Sequence, residues 1–341
     1  MFVEQANKTN RNNIVTKPFE MLSALLADEM QSVNVLIRDR MASKNAPRIP
    51  EVTAHLVEAG GKRLRPLLTL AAAKICGYEG PYHIHLAATV EFIHTATLLH
   101  DDVVDESNMR RGRKTANLLW DNKSSVLVGD YLFSRSFQLM VETGRLEVLD
   151  ILANASATIA EGEVLQLTAA QDINTTEETY YKVIRGKTAA LFSAATKVGG
   201  VIADAPDDQV AALETYGDAL GISFQIVDDL LDYGGASQSL GKEIGDDFRE
   251  RKLTLPTIKA IALANDDERA FWDKVFAKGQ QDTGDLERAM ELLKKHDTLN
   301  ATKEAALHWG QKAKKALDVL PASELKQHLA DLTDFVVQRA V

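Results

Sequence analysis

A chain of 341 residues that is 45% hydrophobic and 26% charged, with 20 glycines and 8 prolines, carries ample apolar material for a core and is not disordered. Its 49 acidic against 39 basic residues give a net charge of −10, which argues against nucleic-acid partners and a basic membrane-binding face, so any anion site must be a local patch. The lone Cys76 excludes an intrachain disulfide framework and a multi-cysteine zinc site and points to a reducing compartment.

Residues 1–20, rich in Asn and Lys without an apolar segment, read as a loose arm rather than a secretory signal. Residues 21–341 read as one all-α domain. Helical periodicity runs through Ala- and Leu-rich segments, strand alternation is nearly absent, and no composition shift marks a linker. Short breaks fall at Ala42 to Pro50, Cys76 to Tyr82 and Gly199 to Asp208. No run of 18 apolar residues is present, so an integral membrane protein is not expected.

The segment from Gly60 to Pro66 reads GGKRLRP. Lys62, Arg63 and Arg65 stand beside two glycines that let backbone approach an anion, which suggests phosphate binding. The plainer reading is a surface basic cluster ahead of a helix starting at Pro66. Next comes LLHDDVVDE, Leu98 to Glu106, and far downstream its counterpart FQIVDDLLDY, Phe224 to Tyr233. In each, the outer aspartates lie four residues apart, so Asp101 and Asp105, like Asp228 and Asp232, project from one helix face about 6 Å apart. Most acidic pairs on helices are solvated faces, yet Leu98, Leu99, Val103 and Val104 flank the first motif and Ile226, Val227, Leu230 and Leu231 the second. Unit charges 4 Å apart repel by roughly 4 kcal/mol at an effective dielectric of 20, a cost that a divalent cation offsets. Mg²⁺ binds through one or two carboxylates plus substrate phosphates, which makes a diphosphate the natural third party. Two distant helices must then face each other, as they do across the core of a bundle.

Arg110, Arg111, Arg113 and Lys114 surround Gly112 just after the first motif, and arginine forks recognise phosphate oxygens bidentately. In RGKTAAL, Gly186, Lys187 and Thr188 interrupt a helical pattern; a P-loop would need glycine where Tyr181 stands, so the expectation is a kink that frees backbone carbonyls. The stretch from Gly234 to Lys252, with Gly235, Gly241, Gly245 and Lys242, reads as a lid.

Taken together these blocks resemble the trans-isoprenyl diphosphate synthases, and among them the long-chain polyprenyl diphosphate synthases, from about Met21 to the C-terminus. The resemblance rests on GGKRLRP, the block EFIHTATLLHDDVVDESNMRRG ending at Gly112, EGEVLQL from Glu161, RGKTA from Arg185, FQIVDDLLDY, and GKEIGDDFRERKLTLP ending at Pro256, with no departure at a motif position. It implies an isoprenoid-synthase-type helical bundle around a central cavity. Residue by residue, it implies that Asp101 and Asp105, supported by Asp102, hold Mg²⁺ on an allylic diphosphate, faced by Asp228, Asp229 and Asp232. The metal ligands so implied are Asp101, Asp105, Asp228 and Asp232. Lys62, Arg65, His94 and Arg111 match the isopentenyl diphosphate site, and Arg110, Lys187, Thr188, Gln225 and Lys242 the allylic diphosphate contacts; Arg63 is left unassigned. His94 alone reads as a satisfied helix histidine.

The chemistry implied is electrostatic. Metal and cations stabilise charge on the departing diphosphate, the allylic carbon ionises in a dry cavity, and the isopentenyl double bond attacks it. Thr97, Ala96 and Ile93 stand four, five and eight positions before Asp101 on the same helix side. Bulky aromatics at the first two positions close the pocket of the family's short-chain members, so small residues here imply a deeper tunnel and a product of roughly eight to ten isoprene units. A homodimer, a quinone side chain as destination and a bacterial cytoplasm are further expectations. Alternatives are a shorter-chain farnesyl or geranylgeranyl diphosphate synthase and a noncatalytic subunit of a heteromeric synthase, which is expected to lack an acidic motif. A terpene cyclase needs no isopentenyl site. A metal phosphohydrolase using His100 and Asp101 leaves the second motif and Lys62 unexplained.

Overall fold

The computed structural model describes residues 18–58, 61–234 and 244–339, and helix dominates them. The chain is already helical over 18–25, so regular structure begins inside the stretch expected to be an arm, and Phe19 and Leu22 join the core. In chain order the helices are α1 (Ala27–Met41), α2 (Arg48–Glu58), α3 (Leu64–Ile75), α4 (Tyr82–Val104), α5 (Ala116–Leu119), α6 (Asn122–Glu142), α7 (Leu146–Ala169) and α8 (Glu177–Ile184). A π turn, Arg185–Ala189, leads directly into α9 (Ala190–Ile202), followed by α10 (Asp207–Tyr233), α11 (Asp246–Arg249), α12 (Leu255–Ala262), α13 (Asp266–Trp272), α14 (Asp285–Lys295), α15 (Thr298–Ala316) and α16 (Glu324–Gln338). Among the described residues no helix is long and apolar enough to cross a membrane.

Helix α4 explains the architecture. It buries Leu86, Ala87, Ala88, Val90, Phe92, Ile93, Ala96 and Leu99, residues that point all round its axis, and a helix apolar on every side belongs inside a bundle. It packs against α1, α3, α6 and α9. Helix α9 is equally enclosed and works by close approach: a Cβ at Gly199 would lie 2.8 Å from Ala73 N and Thr69 O of α3. Helix α10 spans 27 residues, about 40 Å, and carries the second acidic motif at its C-terminal end. Behind it, Trp272, Phe276, Phe248 and Tyr233 build a smaller core with α12 to α14.

Two local details depart from the sequence reading. Helix α3 starts at Leu64 rather than Pro66, with Arg63 at φ 48° preceding it, so Arg65 sits within the first turn instead of on a loop. The basic cluster after Asp105 forms a short antiparallel hairpin, β1 (Met109–Arg110) with β2 (Arg113–Lys114), in which Arg110 faces Arg113. Its two-residue turn has Arg111 at φ 52° and Gly112 at φ 73°, the paired positive values of a type I′ turn.

Candidate active site

Asp101 and Asp102 sit in the last turn of α4, and Asp105 ends the helix with its N–H donating to Asp101 O at 2.8 Å. Burial first, and the negative charge of Glu163 next, push the half-buried Asp101 carboxyl up to about 7, against the pull of Lys187. Asp102 has a different setting. Wholly buried, it accepts from Arg110 Nε at 2.8 Å and lies 2.7 Å from Arg110 Nη2, and its Oδ2 has no protein partner. The bond joins β1 to the end of α4. Asn117 Nδ2, donating to the carbonyls of Asp102 and Ser107 at 3.2 and 3.3 Å, fixes the hairpin's base.

The basic side of the site rises from α3 and α4. Arg65 Nη1 lies 3.2 Å from His94 Nε2, and the guanidinium stacks 4.4 Å from the centre of the Phe192 ring. Burial lowers Arg65 to about 10, and burial together with Arg65 holds His94 well below its usual value, so His94 is neutral and its ring can accept. Arg111 rests on Gly61, where a Cβ would meet its Nη1 at 2.7 Å; the glycine makes room for the guanidinium. Arg63 is tied to Glu91 at 3.0 Å. Lys62 reaches over the Phe335 ring at 5.2 Å, and burial and the nearby Arg339 lower its pKa. His94 precedes Asp101 by seven residues, placing it on the same helix face about 10 Å away.

Opposite α4 stands the π turn. The expected kink takes the form of a π-helical turn, Arg185–Ala189, set without a break between α8 and α9. Gly186 meets Gly162 of α7 backbone to backbone, and beside this contact Lys187 Nζ donates to Glu163 Oε2 at 2.9 Å. Thr188 Oγ1 donates to Gln225 Oε1 at 2.8 Å.

In the second motif each aspartate has its own surroundings. Asp228 is half-exposed, with Arg339 Nη2 at 4.0 Å. Asp229 is buried and accepts from Gln225 Nε2 at 2.8 Å and from the Tyr180 hydroxyl at 2.5 Å; burial raises its carboxyl to about 7 while those two donors oppose the rise. Asp232 caps α11, its Oδ1 accepting from Asp246 N at 3.2 Å and its Oδ2 from Asp247 N at 3.0 Å. Asp247 is in turn held well above its usual pKa by burial and by Asp229 and Asp232. Lys252 pairs with Glu250 at 2.5 Å; burial lowers its pKa, but Glu250 first, and then the charges of Asp247 and Asp105, raise it above the usual value.

Ile93 and Ala96 are fully buried and Thr97 partly so. Ile93 belongs to a cluster with Leu152, Ala155 and Ile159 of α7 and Leu191 and Ala195 of α9, whereas Ala96 packs in the cluster that includes Val128 and Leu132 of α6. Lys242 lies outside the described residues.

The donor set fits a divalent cation that arrives with its substrate. Asp101, crowded by Glu163 and Asp105, and Asp228 of the second motif offer hard oxygen donors in partly buried positions. Among the described residues no group of three or more acidic, histidine or cysteine side chains is placed to hold an ion by itself.

Four residues of this site were not singled out from the sequence: Glu163, Tyr180, Asp247 and Arg339. Glu163 lies within EGEVLQL and Asp247 within GKEIGDDFRERKLTLP, so both were inside quoted blocks. Tyr180 and Arg339 carry no motif signal, and only packing reveals their partners.

Comparisons with known proteins agree with this geometry. The polyprenyl synthetase family model matches residues 46–293. Octaprenyl diphosphate synthase of Escherichia coli (strain K12) is 42% identical over 320 residues, covering 94% of this chain and 98% of that protein. The crystal structure of a decaprenyl diphosphate synthase from Rhodobacter capsulatus matches with a TM-score of 0.93 at 70% identity, covering 95% of this chain and 99% of that one. A polyprenyl synthase from Caulobacter crescentus CB15, solved with calcium and isoprenyl diphosphate, matches at 0.89 and 49% identity, covering 95% and 98% of the two chains.

Proposed function

The chain belongs to the polyprenyl synthetase family, and from that premise we propose that it condenses isopentenyl diphosphate repeatedly with an allylic diphosphate, such as farnesyl diphosphate, to build a long all-trans polyprenyl diphosphate. One observation carries the reading: the acidic end of α4 faces Lys187 and Glu163 on one side, while two turns back on the same helix His94 joins Arg65 and Arg111 in a separate basic basin. Two adjacent anion sites suit two diphosphate substrates. A hydrolase or a cyclase needs only one.

Asp101, Asp105, Asp228 and Asp232 would hold Mg²⁺ in this reading, with Asp232 also accepting from the backbone at the head of α11. A bound cation supplies positive charge to the departing diphosphate. Lys187, released from Glu163, and Arg110 bind the allylic diphosphate, and Lys242 is proposed to join them. Lys62, Arg65, His94 and Arg111 bind isopentenyl diphosphate and fix its double bond toward the allylic carbon. The Phe192 ring under Arg65 and the apolar layers around Ile93 keep water from the cation that forms. As the family resemblance implies, the released diphosphate takes the freed proton.

The small Ala96 and Thr97 support a long product, consistent with the octaprenyl and decaprenyl synthases among the relatives. A quinone side chain is the proposed destination and the cytoplasm the proposed setting. Homodimerisation is proposed as well: α6 leaves Val126, Leu127, Phe137 and Val141 exposed within one arc of its surface, a stripe that a second copy would cover. The test is stoichiometry. Purified chain given Mg²⁺, farnesyl diphosphate and isopentenyl diphosphate should release one diphosphate per isopentenyl unit incorporated, whereas release without incorporation would establish a hydrolase.

A further inference from the structure

We propose that Tyr180, a residue out of reach of substrate, is a positioning residue for the allylic diphosphate site, acting through Asp229 and Gln225 on the π turn that presents Lys187 and Thr188. The inference rests on the prenyl-transfer reading above. Tyr180 stands on α8, buried to 4% exposure among Ile184, Ile222, Ile226 and Val227, so its ring belongs to the core. Its hydroxyl does not point into apolar surroundings. It donates to Asp229 Oδ2 at 2.5 Å, while the other oxygen of the same carboxylate accepts from Gln225 Nε2 at 2.8 Å.

The consequence is directional. A carboxylate with both oxygens accepting obliges Gln225 to present its NH₂ group, and this turns the amide oxygen toward Thr188, whose hydroxyl donates to it at 2.8 Å. The run Tyr180 to Asp229, Gln225 to Asp229 and Thr188 to Gln225 joins α8, α10 and the π turn, and each bond fixes the polarity of the next. Asp229 is thereby occupied in orientation, leaving the neighbouring Asp228 to face the metal. Tyr180 sits just ahead of the π turn, on the α8 side. With its hydroxyl gone, one oxygen of Asp229 loses its donor in a buried setting, and the polarity of Gln225 and Thr188 is no longer set. The isopentenyl basin of Lys62, Arg65, His94 and Arg111 draws its four residues from α3 and the segment before it, α4 and the hairpin, none of which supplies a member of this run of bonds; its one link to the π-turn side is the stacking of Arg65 on Phe192 of α9.

Tyr180→Phe keeps the ring and removes only the hydroxyl. In steady-state assays of the full chain with Mg²⁺, farnesyl diphosphate and isopentenyl diphosphate, the expected result is a rise of about tenfold in KM for farnesyl diphosphate, with KM for isopentenyl diphosphate within about twofold of wild type. A residue that only fills the core would lower the melting temperature and leave both KM values alike. Gln225→Leu breaks the middle link independently, and adding Tyr180→Phe to it should change KM for farnesyl diphosphate by less than about twofold, the non-additivity of residues in one chain. Unchanged KM values, equal rises for both substrates, or additive effects in the double variant would overturn the assignment. Wild type assayed alongside separates the two levels: failure to condense removes the proposed function and this role with it, whereas normal condensation with an unselective Tyr180→Phe removes this role alone.

Discussion

Gly162 of α7 and Gly186 of the π turn touch backbone to backbone: a Cβ on Gly162 would lie 2.8 Å from Lys187 N, and one on Gly186 would lie 2.8 Å from Gly162 Cα. No side chain fits between them, so the contact sets the depth at which Lys187 and Glu163 enter the site. Gly162→Ala should therefore cost about 1 to 3 kcal/mol of stability from overpacking. The displaced lysine should also lower kcat by about tenfold or more, since small misplacements are costly. Melting curves and kinetics on the same preparation check this; wild-type kcat with lowered stability would show that Lys187 position is unimportant.

Asp101 lies in the last turn of α4 and Asp228 near the end of α10, and in the proposed reading both would hold the cation that offsets charge on the leaving diphosphate. Asp101→Ala or Asp228→Ala should reduce turnover by orders of magnitude with helical circular dichroism unchanged, and chelation of divalent ions should do the same to wild type, reversibly on adding Mg²⁺. Full activity in either variant would contradict the metal assignment.

The fully buried Ala96 belongs to the core cluster that includes Val128 and Leu132 of α6, and Ile93 to the one that includes residues of α7 and α9. Ala96→Phe adds a ring at a packed position about one turn below Asp101, so it should shorten the product while costing about 1 to 3 kcal/mol in stability. Reversed-phase separation of the dephosphorylated products reads the outcome. An unchanged length distribution would contradict the tunnel assignment.

Away from the site, Glu268 forms a capping box with Asn265 at the head of α13 and accepts from Lys295 Nζ at 2.5 Å and His296 Nε2 at 2.9 Å. Lys295 first, then His296, hold its carboxyl down at about 2, against an ordinary 4.5. A carboxyl depressed in the folded state contributes its full stabilisation above the unfolded value, and that contribution fades as pH falls from about 4.5 toward about 2. Glu268→Gln should melt below wild type at pH 7, and the gap should close across that acid window. A gap independent of pH would rule out the ionised pair as its cause.

The sequence made the helical class and the acidic motifs legible because both are local: apolar residues every three or four positions define α4 and α10, and aspartates four apart within them share a face. The hairpin at Arg110 to Arg113 was not legible, since a run of basic residues reads as a solvated loop until Arg110 is seen against the buried Asp102. Nor could spacing distinguish Asp228, Asp229 and Asp232, which sit in one turn yet respectively face Arg339, bond Tyr180 and cap α11. Those differences come from α8, α11 and α16 folding back onto α10, which no window of sequence contains. The same holds for Glu163, whose importance rests on Lys187 reaching it across the Gly162 contact.

The most direct test of the account is the chain length of the product made by purified protein from farnesyl diphosphate, labelled isopentenyl diphosphate and Mg²⁺. All-trans polyprenols of roughly eight to ten isoprene units after dephosphorylation are the result that the proposed function predicts. Products stopping at three or four units would contradict the tunnel reading, and diphosphate release with no elongation would contradict the function itself.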